Sequence, residues 1–187
     1  MDPRIDLSFA ETAAQNLLGC HLIVKSPQGR MVGRIVETEA YTNDDPSSHA
    51  YRGETPRNKS MFQGAGTIYV YFTYGMHYCM NIVTGQKGEG QGVLIRALEP
   101  LEGLEIMEAN RGTKDVFNLT NGPAKLTQAF GINKSFDGLH VGKGPISLEY
   151  APHDEDIITT TRIGIKQATD LKRRFYLANN SYVSKLG

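Results

Sequence analysis

The chain has no tryptophan and only two cysteines in 187 residues, and its 20 acidic side chains match its 20 lysines and arginines. Each shortage excludes something. Cys20 and Cys79 lie far apart and no CxxC pair exists, so two buried free thiols are expected instead of a disulfide framework or a zinc ribbon. The five histidines, His21, His49, His77, His140 and His153, are scattered and none falls in HExxH, so no metal site is expected. No apolar run nears the roughly 20 residues of a membrane span. The opening MDPRIDLSFA lacks the basic-then-apolar order of a secretory signal, so a cytoplasmic protein is expected. The glycines of GQKGEGQG (85–92) lead from strand to strand, not from strand to helix, which removes dinucleotide-fold and P-loop readings. No GxSxG elbow occurs either, and no cofactor is expected.

What is present is a chain of one-domain size with 40% apolar and 21% charged residues. Ser8-Phe9-Ala10-Glu11 has capping-box spacing and predicts a helix to about Leu18, stopped at Gly19. Residues 20–26 and 31–41 read as strands joined by Pro27-Gln28-Gly29. The polar stretch 42–66 reads as a long ordered loop, a kind that usually carries function. Residues 67–83, rich in β-branched and aromatic side chains and broken at Tyr74-Gly75, read as a hairpin. Another strand is expected at 91–98, a helix from Pro100 to about Asn110, and a second helix from Asn121-Gly122-Pro123 to Gly131. Short strands follow at 145–149 and 174–178. The predicted fold is mixed α/β (α+β): one domain over 1–187, around a curved, mostly antiparallel sheet with a protruding β-hairpin.

Several residues invite chemistry. Strand alternation puts Glu37, Glu39 and Tyr41 on one face and Val36, Thr38 and Ala40 on the other. Two carboxylates beside an aromatic ring suit a general base, although an edge strand with both acids in solvent explains the pattern equally simply. The hairpin holds Tyr69, Tyr71, Tyr74 and Tyr78. Strand propensity accounts for Tyr69 and Tyr78, whereas Tyr74, beside Gly75 at the tip, suits a wedge between bases. Arg52, Arg57 and Lys59 in the loop 49–62, and Lys125 at a helix start, suit phosphate contacts; solvated surface and ordinary capping are the plain alternatives. Residues 162–174 carry Arg162, Lys166, Lys172, Arg173 and Arg174 against Asp170 alone, a candidate basic face on a neutral protein.

Six segments together closely resemble the 3-methyladenine (alkyladenine, or methylpurine) DNA glycosylase family. They are GRIVETEAY (33–41), TPRNKSMF (55–62), GTIYVYFTYGMHYCMNI (66–82), VLIRALEPLEG (93–103), NGPAKL (121–126) and INKSFDG (132–138). With RIGI at 162–165 they span nearly the whole chain in the family's order. The resemblance implies that Glu39 is the general base for water. It makes Tyr41 one wall of the base pocket, His49 the opposite wall, and Tyr71 the tyrosine that closes the stack. Tyr74 becomes the residue intercalated where the nucleotide has left, Asn81 the amide that disfavours guanine, and Arg96 a residue near the nucleotide. It implies a fold related to the C-terminal domain of methionyl-tRNA formyltransferase, and a monomer without metal or cofactor. The partner implied is duplex DNA containing damaged purines: 3-methyladenine, 7-methylguanine, hypoxanthine or ethenoadenine.

The residues agree with such chemistry. N3 or N7 alkylation places positive charge on a purine and makes it a good leaving group. What is then needed is a base-holding pocket, a carboxylate to orient water and balance an oxocarbenium-like sugar, and exclusion of normal bases. No lysine is expected near the ETEAY strand, so hydrolysis without strand cleavage is expected. The competing expectation is a non-catalytic nucleic-acid-binding module of the same fold, which has no use for Glu39.

Overall fold

The computed structural model describes residues 2–73 and 75–186. The expected wedge, Tyr74, lies outside the described residues. Eight strands and three α-helices follow in the order α1 (Ala10–Asn16), β1 (His21–Ser26), β2 (Gly29–Tyr41), β3 (Ile68–Thr73), β4 (His77–Thr84), β5 (Gln91–Glu102), α2 (Leu104–Arg111), α3 (Pro123–Ala129), β6 (Ile146–Glu149), β7 (Ile157–Thr160) and β8 (Arg174–Leu177). They form one mixed α/β domain around a curled antiparallel sheet of order β3-β4-β5-β2-β1-β6. β8 joins the second half of β2 and carries β7 outside it.

The long strand β2 is therefore interior over most of its length. β5 runs along one side, and β1 followed by β8 along the other. Its pairing with β5 skips Val36 on one strand and Arg96 on the other, and such bulges bend and twist a strand. The expected alternation holds beyond the bulge. Thr38 turns to the core, where its hydroxyl donates to the Ala14 carbonyl of α1 at 2.7 Å, while Glu37 and Glu39 turn to the opposite face. α1 is short and rich in alanine, so Ala10, Ala13 and Ala14 let its backbone lie close on the sheet, with Leu17 filling the space behind.

Two local expectations fail, each because a distant partner intervenes. The capping box does not form. Phe9 stands at the N-cap with no side-chain bond, the Ser8 amide donates to Asp6, and Glu11 pairs with Arg173. The helix is instead capped from β5, where Gln91 Oε1 accepts from the Ala10 amide at 3.0 Å. Nor does Pro100 open a helix. It pairs with Gly33 as part of β5, next to a register shift and beyond the residues of β5 that bond to β4, so its missing N–H costs no ladder bond.

The chain turns into α2 at Gly103, whose φ is +82°. A side chain there would stand 2.7 Å from the Arg30 carbonyl oxygen. Gly103→Ala is expected to cost at least about 1 kcal/mol, read as a lower denaturation midpoint at unchanged m-value.

The β3–β4 hairpin projects from the sheet, with Met76 69% and Phe72 46% exposed near its tip. Both cysteines are free and buried, as expected. Among the described residues no helix is long and apolar enough to cross a membrane. None of their histidine, cysteine and acidic side chains gather into a group of three able to hold a metal ion.

Candidate active site

On the face of the sheet away from α1 lies a cavity of about 890 Å³. Glu39, Tyr41, His49, Tyr71, Asn81 and Arg96 all line it, joined by Tyr69, Cys79, Leu94 and the segment 163–167. Six residues scattered over 58 positions of sequence thus meet in one place.

The floor is charged. The side chains of Glu37 and Glu39 are fully buried, so the solvated-edge alternative for this strand fails. Arg96 spans them, with Nε 3.1 Å from Glu37 Oε1 and Nη1 3.2 Å from Glu39 Oε1. Burial works against the charge on Arg96, but the two carboxylates outweigh it and hold the guanidinium above its usual range. Glu39 accepts further bonds from the Ile163 amide onto Oε1 and the Tyr41 hydroxyl onto Oε2, both at 2.8 Å. Burial, followed by the negative charge of Glu39, raises the Tyr41 phenol far above its ordinary value, so it stays protonated and donates. A carboxylate offers about four lone-pair positions. Two are taken by these hydrogen bonds, one on each oxygen, and Arg96 adds an ion-pair contact to Oε1.

The walls are aromatic. Tyr71 stacks on Tyr69 with centroids 5.5 Å apart, and His49 meets the edge of Tyr71 at 4.5 Å. His49 Nδ1 lies 3.0 Å from the Tyr69 hydroxyl. Enclosure by these rings, then the nearby charge of Arg57, lowers His49 below the usual histidine range. Burial pushes Tyr69 up to about 12. The Tyr71 phenol rises further, through burial and then through Cys79, with which it is hydrogen-bonded. Asn81 is 5% exposed, and its amide donates to the Tyr69 carbonyl at 3.4 Å.

The loop bearing His49 is built in advance. Asn58 donates to the carbonyls of His49 (2.8 Å) and Gly53 (3.1 Å) and accepts from the amide and hydroxyl of Thr55. Asp45 is buried against Arg162, whose guanidinium lies 4.7 Å from the centre of the Tyr41 ring and also donates to the Ala40 carbonyl at 3.1 Å. Tyr41 is thus braced by a residue that does not line the cavity.

The proposed phosphate contacts divide. Arg52, Arg57 and Lys59 are exposed. Arg52 borders the cavity, Arg57 a smaller adjoining recess, and Lys59 neither. Lys125 is tied to Asn118 and Asn121 at 2.5 and 2.8 Å. The basic stretch 162–174 is not a basic face. Arg162 and Arg174 are buried on Asp45 and Glu37, and Arg173 pairs with Glu11 and Asp45, leaving Lys166 and Lys172 exposed. Lys166 lines the cavity, so the lysine missing beside ETEAY in sequence is supplied across space. Sequence reasoning missed this, along with Asp45 and the Ile163 amide, and gave Glu37 only as a second acid on the face of Glu39. For the Ile163 amide, RIGI was the sole pointer.

A family model described as methylpurine-DNA glycosylase matches residues 7–181. The chain belongs to the methylpurine-DNA glycosylase family. Relatives provisionally named 3-methyladenine DNA glycosylase agree with it over nearly their full length. The protein of Methanoculleus marisnigri is 49% identical over 179 residues, covering 93% of each chain. That of Carboxydothermus hydrogenoformans is 50% identical over 181 residues, covering 92% of each. That of Prosthecochloris aestuarii is 49% identical over 176 residues, covering 92% of this chain and 85% of its own. Methylpurine-DNA glycosylases are DNA repair proteins, so DNA is the partner against which the cavity is to be read.

Proposed function

We propose that this methylpurine-DNA glycosylase family member flips alkylated or deaminated purines out of duplex DNA and hydrolyses their N-glycosidic bond with a water activated by Glu39. The observation that carries the reading is a buried Glu39 carboxylate, fixed by two hydrogen bonds and an ion pair with Arg96, on the floor of a tyrosine- and histidine-walled cavity. A water held there is oriented by a base whose own position is fixed, and the carboxylate also faces the positive charge that develops on the sugar.

Tyr41, His49 and Tyr71 would enclose the flipped base, electron-rich rings suiting a cationic purine. The protonated Tyr69 phenol can donate to His49 Nδ1, which puts the imidazole proton on Nε2 and makes that nitrogen a donor. Tyr74 would fill the vacated stack, with Arg52, Arg57, Lys59 and Lys125 nearest the phosphates. The substrates are 3-methyladenine, 7-methylguanine, hypoxanthine and ethenoadenine. One chain supplies every wall, which suits a monomer. Lys166 is exposed, whereas a lysine nucleophile is activated by desolvation or a neighbouring cation, so no strand cleavage is proposed.

Asn81 would exclude guanine by crowding its exocyclic amine. Asn81→Ala is expected to release measurable undamaged guanine, where wild type releases none, in a base-release assay on lesion-free DNA.

The test of the function is a panel of duplexes, each carrying one of the four lesions, incubated with enzyme and then treated with alkali. Alkali-labile breaks at the lesion, absent before alkali, are expected. Lesion binding without breaks on any duplex would favour a non-catalytic binding module.

A further inference from the structure

One buried acid, Glu37, has no part in the chemistry proposed above. It does not line the cavity, yet its side chain is fully buried and every partner is a donor. Glu37 Oε1 accepts from Arg96 Nε at 3.1 Å, Arg174 Nη1 at 2.8 Å and the Ser184 hydroxyl at 3.0 Å, and Oε2 accepts from the Ser184 amide at 2.7 Å. Arg174 also donates to the Lys185 carbonyl at 2.8 Å, so the segment after β8 is fastened to the same point. Two carboxylates and two guanidiniums make this buried group neutral, which removes much of the cost of burying any one of them.

The arrangement matters because a guanidinium is a rigid, planar fork. Its natural mode with a carboxylate is two parallel hydrogen bonds. Arg96 does not adopt that mode toward Glu39. Glu37 holds its Nε, the plane is fixed, and Nη1 alone reaches Glu39, at 3.2 Å. Released from Glu37, the fork could turn fully onto Glu39 and take the lone pair that a water needs.

We propose that Glu37 is a positioning residue for base release: by holding the Nε edge of Arg96 it prevents that guanidinium from closing on Glu39 with both arms. The inference rests on Glu39 acting as the general base. In Glu37→Gln one oxygen becomes an NH2 that cannot accept, so Arg96, Arg174 and the Ser184 amide compete for the other, with two expected consequences. The rate falls because the carboxylate is blocked. Lesion affinity stays, because Glu37 itself does not line the cavity. The other groups facing Glu39 stay in place: Tyr41 on β2, Tyr71 on β3, Cys79 on β4 and the Ile163 amide. Those facing Glu37 are Arg96, Arg174 and Ser184.

The experiment is single-turnover release of ethenoadenine from a duplex, with lesion affinity and melting temperature measured alongside, for wild type, Glu37→Gln, Glu39→Gln and Ser184→Ala. For Glu37→Gln the rate is expected to fall roughly 10–100-fold at unchanged lesion affinity. An unchanged rate, or a slower rate explained by weakened lesion binding, overturns the inference. Should Glu37→Gln not fold, Ser184→Ala loosens the same carboxylate while keeping the backbone donor. A few-fold slower release then supports the inference, and wild-type release overturns it. Wild type that releases no base sinks the functional reading instead. An active wild type and inert Glu39→Gln, with Glu37→Gln like wild type, sinks only the role of Glu37.

Discussion

Glu39→Gln is expected to lower the rate of base release by roughly 10²–10⁴-fold, the range that a positioned general base supplies, while lesion-containing DNA still binds. The carboxamide keeps the volume; its oxygen can still accept from the Ile163 amide while its NH2 donates to the Tyr41 hydroxyl oxygen, the two groups that now hold the side chain at 2.8 Å. It cannot take a proton from water, and it gives no charge to balance the sugar in the transition state. Arg96 keeps its bond to Glu37 at 3.1 Å, a carboxylate it shares with Arg174, so the buried group carries one net positive charge in this variant. Single-turnover release and equilibrium binding on the same ethenoadenine duplex separate the two effects. Retained activity would show that another group activates the water. Lost binding would show that Glu39 shapes the pocket more than the reaction.

Asp45→Ala is expected to have the largest effect on stability. The side chains of Asp45 and Arg162 are both fully buried against each other. Removing one partner leaves a buried guanidinium uncompensated, at about 3–5 kcal/mol. In a chain of this size that lowers the melting temperature by roughly 6–20 °C. Ala40 and Ala168 carbonyls still accept from Arg162, which favours the lower half of that range. Acidity gives a second readout. Burial opposes ionisation of Asp45, but Arg162 and the hydroxyl and amide of Ser47 prevail and hold the carboxyl below its usual range. A depressed native value means that the contribution is complete above the unfolded value of about 3.9 and disappears as pH falls through the native one. Below about pH 4 wild type should therefore lose stability more steeply than the variant. Parallel curves in thermal melts from neutral pH to pH 2 would remove Asp45 from the acid transition. Tyr41 loses its brace in this variant, so base release should slow even where the protein is folded.

The sheet was largely legible because its strands carry local signals: alternation in 31–41, tyrosines and β-branched residues in 67–83, a turn at Pro27-Gln28-Gly29. So was the face on which Glu37, Glu39 and Tyr41 lie. Whether that face is wet or buried was not legible, since it depends on β5 and β8 flanking β2, and β8 lies more than 130 residues along the chain. The same holds for the arginines. The partner of Arg162 is 117 residues away and that of Arg174 is 137, so a run of cations reads as surface until the ends of the chain meet. The failed capping box has this cause as well, because the side chain that caps α1 comes from 81 residues downstream. Glu39, Tyr41, His49, Tyr71, Asn81 and Arg96, carried by the family likeness, converge on one cavity. Of those that act through others, Glu37 showed only as a second acid on that face, and Asp45 left no trace in local spacing.

Asn58 bears on how such a protein spends its time. A searcher on DNA meets vastly more sound base pairs than damaged ones, and nearly every encounter ends without reaction. Were the His49 segment to order itself afresh at each stop, every fruitless inspection would carry an entropic toll and a delay. Its four bonds to His49, Gly53 and Thr55 settle that ordering once, when the chain folds. Inspection can then be brief, with the duplex as the component that must change shape.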